Sequence, residues 1–475
     1  MIFRIPKRPG CRHIRKTVLF TLLGLVLVSA CSPQVASELT ATETQVLLPS
    51  NTATPAFTAT LTPLPSLTPV RTPPSSSELF VDANEVQGEI SPLVYGTNYG
   101  PWLFVPLQMQ DIAKDAHLTI LRYPGGNWGD LNDMDEWNID QFVAFCRQIG
   151  ADINIHVRLK NGTAERAAEI VRYVNIEKQY GVKYWTIGNE PNLFKDGYTI
   201  EQFNQDYRNW AQAMRSVDPT IQFIGPEVNQ YFADPQNDYE QTLEDWIVEF
   251  LKVNGDMVDV LSVHKYPFPE SVNSGPPTTE ELRASAREWD GLVPALRSLA
   301  REYAGRDLPV AFTEVNSSWA ASSSGEATLD SHVNGIWWGA VLGKLIRDDA
   351  FIVNQFAIIG DFGLMNKYDV YPIYNVYLMY QKFGSVRLFA ASDDPDVSIF
   401  AAKRPDGALT IMLVNLTGSS VTKKLTIDSI SEYFVSETWL FDQEHTVELV
   451  PNPTNFNEDS FTMSPDSMML FVLKQ

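Results

Sequence analysis

Two glutamates close short apolar runs, and their types and places are those of an acid/base pair. Glu190 ends Tyr184-Trp185-Thr186-Ile187-Gly188-Asn189-Glu190-Pro191, and Glu314 ends Val310-Ala311-Phe312-Thr313-Glu314. Such β-branched or aromatic runs, apolar on both faces and followed by turn and helix signals, read as buried strands of a parallel sheet. In α/β barrels the C-terminal ends of these strands carry the chemistry. Two carboxyl groups on different strands could flank one bond, one protonated near a leaving oxygen and the other ionised near the carbon under attack. Burial and like charge push the pKa values of such a pair apart, and that division assigns the roles.

Further polar residues stand at neighbouring strand ends. Arg122 follows Leu118–Leu121, Asn127 and Trp128 lie just past the Gly125-Gly126 turn, Asn189 adjoins Glu190, and His264 and Tyr266 follow the sixth apolar run. Together they form an expected substrate-binding ring around the two carboxylates. Asp130, Asp133, Asp135 and Glu136 lack the spacing of a calcium loop and read as a solvated acidic loop. Cys146 is the only cysteine beyond residue 31, so neither an intrachain disulfide framework nor a Cys-based zinc site is expected from the mature part. The sequence gives no reason to expect a metal or other cofactor.

The elements that must position these groups alternate from residue 92 onward, as in β/α units on a parallel sheet. Strands are expected at 93–97, 119–123, 153–157, 184–188, 222–225, 258–264, 310–313 and 353–359. Helices are expected at 106–116, 139–150, 164–180, 200–217, 243–254, 280–304, 332–347 and 372–383. This is an α/β fold, a (β/α)8 TIM barrel over residues 78–385. After Gly384 short strands with turns predict a C-terminal all-β sandwich domain over 386–475, which residues 79–86 join as a strand. Trp337-Trp338 lie in a helical stretch and are expected to pack, as is Trp439 in the β region.

The chain has 475 residues, 44% of them hydrophobic, and a formal charge of −22. With no clustered Lys and Arg stripe, nucleic acid is not an expected partner, and a neutral substrate fits better. Residues 1–30 hold six basic side chains, no acid, and an apolar run ending Leu27-Val28-Ser29-Ala30-Cys31. That is the form of a secretory signal, too short for a spanning helix. The last four residues resemble a bacterial lipobox, which implies cleavage before Cys31 and a lipid on its thiol. Residues 31–77 are rich in Thr, Pro and Ser and form a linker with too little apolar surface to fold. The expected location is extracytoplasmic, lipid-anchored to the bacterial cell membrane or envelope through Cys31.

The strand-end residues also carry a family resemblance. Tyr184–Pro191 with Thr313-Glu314 resembles the acid/base and nucleophile strands of retaining glycoside hydrolases of clan A. Ile90-Ser91-Pro92-Leu93-Val94-Tyr95-Gly96, Leu121-Arg122-Tyr123-Pro124-Gly125-Gly126-Asn127 and His264-Lys265-Tyr266-Pro267 are similar to motifs of family-51 α-L-arabinofuranosidases and family-44 endoglucanases. Phe312-Thr313-Glu314-Val315-Asn316-Ser317-Ser318 is closer to family-39 β-xylosidases. The resemblance implies a retaining O-glycosidase acting on plant-type polysaccharide or oligosaccharide. In it Glu190 is general acid/base, Glu314 nucleophile, Asn189 a partner of the 2-hydroxyl, Arg122 a support for the nucleophile, and Tyr266 its hydrogen-bond donor.

One position departs from the pattern. Many clan members place a Trp at the end of strand eight, where this chain reads Ile358-Ile359-Gly360-Asp361. Trp102, Trp128 or Trp319 would then supply the sugar platform, or the substrate sits differently. The departure motivates an alternative reading, a non-catalytic surface carbohydrate-binding lipoprotein on a glycosidase-like barrel.

Overall fold

The computed structural model describes residues 78–195, 197–269, 275–319, 325–392, 394–453 and 460–475. The expected signal segment 1–30, Cys31 and the expected linker to residue 77 lie outside the described residues. Eight parallel strands close a barrel in chain order: β2 (Gly96–Asn98), β3 (Ile120–Tyr123), β4 (Asp152–Val157), β5 (Tyr184–Ile187), β6 (Gln222–Val228), β7 (Val260–Lys265), β8 (Val310–Val315) and β9 (Ile352–Gln355). They are preceded by β1 (Glu78–Glu89), which belongs to a second sheet. No helix among the described residues is long and apolar enough to cross a membrane.

Strand periodicity builds the barrel interior in layers. Ile120, Tyr184, Ile224, Val260, Ala311 and Ile352, one from each of six strands, join Leu93 in an apolar cluster separate from the main core. Two residues further along the same face come Arg122, Thr186, Ser262, Thr313 and Asn354, all buried and polar. The alternate residues, among them Leu121, Trp185, Phe223, Leu261, Phe312 and Val353, face the surrounding helices in the main core. An apolar base therefore carries a polar layer, and the polar layer carries the site.

The helices follow the apolar spacing with local adjustments. Ile200–Val217 and His332–Arg347 occupy the expected ranges, the first under a Thr199–Gln202 capping box. The single helix expected over 280–304 is broken into Thr279–Ser285 and Leu292–Leu299, because Gly291 adopts a left-handed φ of 76°. The first strand forms one turn later than expected: Pro92–Val94 is a 3-10 turn, and pairing begins at Gly96.

The expected β domain is one nine-stranded sheet. Its further strands are β10 (Val386–Ser392), β11 (Val397–Lys403), β12 (Leu409–Asn415), β13 (Val421–Asp428), β14 (Phe434–Phe441), β15 (Glu448–Val450), β16 (Phe461–Met463) and β17 (Ser467–Lys474), in spatial order β15-β14-β17-β12-β11-β10-β1-β13-β16. β1 pairs antiparallel with β10 and parallel with β13, and the other neighbours are antiparallel. On β12 and β17, Leu409, Ile411, Leu413, Met469, Phe471 and Leu473 enter the sheet's own core with residues from β1, β13 and β16. Strands distant in the order share that core, so the sheet curls around it. The opposite face, Met412, Val414, Met468, Leu470 and Val472, joins the core of the barrel helices. Barrel and sheet belong to one compact unit.

The contact between them depends on two glycines. Gly339 and Gly343 lie one turn apart on the His332–Arg347 helix, where added Cβ atoms would come 2.4 Å from Met468 Sδ and 2.1 Å from the Phe400 ring. Trp337 and Trp338 are fully buried beside them. Trp439 packs beneath Lys382, whose ammonium stands 3.8 Å from the ring centroid. Replacing Gly343→Leu should overpack this seam and lower unfolding stability by about 1–3 kcal/mol. Urea denaturation against a solvent-facing control checks this, and an unchanged midpoint would show that the seam can open without cost.

Candidate active site

Three backbone devices bring the functional carboxylates together. Glu190 follows β5 in a left-handed conformation (φ 47°, ψ 53°) and caps a short 3-10 turn that begins at Pro191. Its turn is held by Gly188 N to Val157 O (3.0 Å), Asn189 N to Asp130 Oδ2 (2.6 Å) and Glu190 N to Glu227 O (3.1 Å). The second device is a break in the β7–β8 register, where Val263 pairs with Phe312 but His264 with Glu314. This bulge gives β8 an extra residue and turns Glu314 to the side already occupied by Thr313. The third is a like break between Pro226 and Val228 of β6, which leaves Glu227 unpaired with a φ of 63°.

A buried ion network results. Arg122 places Nη1 2.8 Å from Glu314 Oε1, and Nη2 2.7 Å from both Asn189 Oδ1 and Glu227 Oε2. Glu314 Oε1 also accepts from Gly126 N at 3.0 Å, and its Oε2 accepts from the Tyr266 hydroxyl at 2.7 Å. His264 bridges the other side, with Nδ1 3.0 Å from Glu190 Oε1 and Nε2 3.2 Å from Glu227 Oε2. Glu227 Oε1 accepts from Thr313 Oγ1 at 2.7 Å. One oxygen each of Glu190 and Glu314 and a nitrogen of His264 lie within 4.8 Å of one another.

The electrostatics follow from burial and neighbours. Burial works against the Arg122 charge, but Glu227 and Glu314 outweigh it and hold the guanidinium above its ordinary value. Burial likewise opposes ionisation of Glu227, yet Arg122 and His264 bring its carboxyl down to about 2. Burial disfavours charged His264, while Glu314, Glu190 and Glu227 raise it to about 10. Burial and Glu314 push the Tyr266 phenol well up, so it remains a donor.

Above this network lies a cleft of about 260 Å³ lined by Gly126, Asn127, Asn189, Glu190, Tyr266, Glu314, Trp319 and Phe356, among others. Of the residues expected to bind substrate, Asn127, Asn189 and Tyr266 line it, and Asn189 Nδ2 donates to Asn127 Oδ1 at 3.1 Å. Arg122 and His264 do not: both have no exposed surface and sit beneath the carboxylates, because the strand period points them into the closed polar layer. Trp128 opens the short helix Trp128–Leu131, is half-buried, and is not among the cleft residues.

Two further corrections concern β9 and the acidic loop. β9 ends at Gln355, so the strand-eight position at the cleft belongs to Phe356 rather than to Ile358. Phe356 stacks on Phe362 with centroids 5.1 Å apart and approaches Trp102 and Tyr266 at 6.2 and 6.4 Å. Asp130 is buried rather than solvated, and it accepts the backbone N–H groups of Leu159, Lys160 and Asn189. Asp135 caps the helix Glu136–Ile149, and Asp133 pairs with Arg158. Glu227 and Asp130 carried no sequence signal beyond being acidic residues near glycine and proline turns.

A closed (β/α)8 barrel with a β domain, carrying one glutamate just past its fourth strand and another at the end of its seventh, has the architecture of the clan A glycoside hydrolases that the sequence resembles. Residues 167–412, just over half of the chain, match the signature of the glycosyl hydrolases family 39, and the chain belongs to that family. It is 23% identical over 198 residues to the intracellular exo-α-(1→5)-L-arabinofuranosidase 1 of Bacillus subtilis, covering 33% of this chain and 38% of that protein. To the corresponding enzyme of Acetivibrio thermocellus it is 20% identical over 264 residues, 46% and 50% of the two chains. The chain thus spans half or less of the length of these curated relatives. Among solved structures, the α-L-arabinofuranosidase of Thermotoga maritima superposes with a TM-score of 0.69 at 19% identity, over 84% of this chain and 99% of that one. A family-44 xyloglucanase of Paenibacillus polymyxa gives 0.64 at 17%, again over 84% and 99%.

Removing the shared cation should expose the cost of the network. Arg122→Met leaves Glu227 and Glu314 without their common partner and should cost about 3–5 kcal/mol of unfolding stability in chemical denaturation. The His264 contribution has its own pH signature. Its pKa is raised from 6.5 to about 10 on folding, so the stabilisation is fully present below 6.5 and disappears as pH rises through 10. The stability gap between native protein and His264→Asn should narrow steadily across that range in pH-resolved thermal unfolding. A gap independent of pH would mean that the folded imidazole is not held charged.

Proposed function

We propose that the protein is a retaining O-glycoside hydrolase that cleaves plant-type polysaccharide or oligosaccharide by double displacement. Glu314 attacks the anomeric carbon as Glu190 protonates the leaving oxygen, and Glu190 then takes a proton from the water that releases the sugar from Glu314. The observation that carries the reading is the separation of the pair. Retention needs carboxyl groups about 5–5.5 Å apart and inversion about 6.5–9.5 Å, and one oxygen of Glu190 lying within 4.8 Å of one oxygen of Glu314 fits the narrower spacing.

The surroundings support the division of labour. Every close partner of Glu314 is a donor, from Arg122, Gly126 and Tyr266, so it offers lone pairs rather than a proton. Glu190 meets one imidazole and opens to the cleft. Phe356 offers an apolar ring beside Glu314 where a sugar face could rest. The alternative of a non-catalytic binder is motivated by the missing strand-eight Trp and the tether; Phe356 puts an aromatic ring at the first of these positions. The arabinofuranosidase names of the relatives make arabinofuranosyl groups the first substrates to try. Xylosyl and glucosyl aryl glycosides, xyloglucan and carboxymethylcellulose complete the panel.

On a responsive substrate Glu314→Ala should abolish turnover, and azide should restore part of the activity of Glu190→Ala on activated glycosides. Native-like rates in either variant would sink the assignment. We also propose anchoring outside the cell membrane through a lipid on Cys31, ahead of the Thr/Pro/Ser-rich linker. Cys31→Ser should then move the protein from the detergent phase to the aqueous phase on partitioning, and an unchanged distribution would contradict the anchor.

A further inference from the structure

Glu227 is the one carboxylate of the network that the double displacement does not use. It has no exposed surface and does not line the cleft, so it cannot touch a sugar. Both of its oxygens are engaged, Oε1 by Thr313 and Oε2 by Arg122 and His264. Its carbonyl oxygen holds the amide of Glu190 at 3.1 Å. A single residue thus grips Glu190 through the backbone and, through His264, through the side chain as well.

We propose that Glu227 is a positioning residue: by fixing a proton on His264 Nε2 it makes Nδ1 the place where the site stores the proton that Glu190 delivers and recovers. The proposal rests on the glycosidase reading above. In the resting site His264 carries both ring protons. The Nδ1 proton passes 3.0 Å to Glu190 Oε1, and the carboxyl group so formed gives it to the leaving oxygen, which leaves a neutral imidazole and a Glu190 carboxylate ready for the second half-reaction. In the second half-reaction Glu190 takes a proton from the attacking water and returns one to Nδ1. One water is consumed, no net proton is gained or lost, and the imidazole ends as it began.

The groups facing His264 fit this role. Glu190 and Glu227 stand on its two nitrogens, Glu314 Oε2 lies 3.6 Å from Nδ1, and the Arg122 guanidinium and Tyr266 hydroxyl reach it only through Glu227 and Glu314. Lys265 points elsewhere, to Tyr231 O and Glu288. The charge of His264 therefore answers to three carboxylates. Glu227 is the one that neither attacks nor protonates the substrate.

Nitrogen-15 NMR of the full chain reads this directly, with His264→Asn assigning the imidazole. Native His264 should keep both ring protons beyond about pH 8, and in Glu227→Gln it should lose its charge roughly one pH unit or more lower. Identical titrations overturn the proposal, whether or not any glycoside is hydrolysed, which separates its failure from that of the glycosidase reading. On aryl glycosides, Glu227→Gln should slow poor leaving groups by about 10- to 100-fold in kcat while sparing activated ones, with KM little changed. The basic limb of its pH profile should move to lower pH, and Glu227→Asp should restore part of the shift. Equal losses on both leaving groups with an unmoved limb would make Glu227 purely structural and refute the proton-storage role. If Glu227→Gln does not fold, Glu227→Asp, which keeps the charge but draws it back from His264 Nε2, should give a smaller shift in the same direction, and no shift there overturns the proposal.

Discussion

The buried guanidinium of Arg122 is the interaction on which the rest of the site depends. Removing an ion from water costs several kcal/mol even after relaxation. Here two carboxylates at 2.7 and 2.8 Å repay it, each pair worth ~6 kcal/mol at an effective dielectric near 20. The repayment requires all three groups in register, because either carboxylate alone would leave charge uncompensated. Glu314 and Glu227 lie on different strands, so the ion network fixes the relative placement of β3, β6 and β8 as firmly as backbone pairing does. Asn98 and Asn189 accept the other Nη protons, while Nε–H has no partner among the described residues, and they extend the constraint to the first and fourth barrel strands.

A regular barrel would not have brought these groups together. The two-residue period turns Arg122, Ser262 and Thr313 inward, but it would turn Glu314 and Glu227 outward into the helical layer. The register breaks at β6 and β8 undo that parity at one residue each. Both lie beside the site, where an extra residue re-aims a side chain at the expense of one ladder bond. Glu190 is reached differently, by a left-handed turn that Asp130 and Glu227 secure through backbone amides. The constellation of site carboxylates is thus made of exceptions supported by a regular scaffold.

That distinction explains what was legible in the sequence. The barrel was readable because each strand is an apolar run of ordinary length between helical stretches, and Glu190 and Glu314 because they end such runs. Glu227 was invisible because the reading of its strand stopped at Gly225-Pro226, where a proline normally ends pairing; the chain instead continues through a bulge to Val228. Phe356 was overlooked for the opposite reason. The apolar run continues through Ile359, so periodicity extended the strand past its true end at Gln355 and put the wrong residue at the cleft. Asp130 lies among other acidic residues and looked like one of them, since burial of a single carboxylate depends on which backbone amides the fold brings to it. His264 was placed correctly in sequence and wrongly in depth, because a strand end does not reveal whether its side chain faces ligand or foundation.

The count of charges in the site also bears on the proposed reaction. Three carboxylates, Glu190, Glu227 and Glu314, face two cations, Arg122 and His264. With every group in its charged form one negative charge remains unbalanced, in a closed setting where such charge is weakly screened. Glycosidic cleavage passes through an oxocarbenium-like state whose positive charge develops at the anomeric carbon. A neutral sugar entering the cleft does not meet that excess, whereas the same sugar at the transition state does, and the difference is the form of stabilisation that accelerates a reaction rather than merely tightening binding. The same count explains why the third carboxylate must be buried away from the cleft. Exposed there, Glu227 would compete for the anomeric carbon or draw water onto it; held beneath His264 and Arg122, it contributes its charge to the field without entering the chemistry.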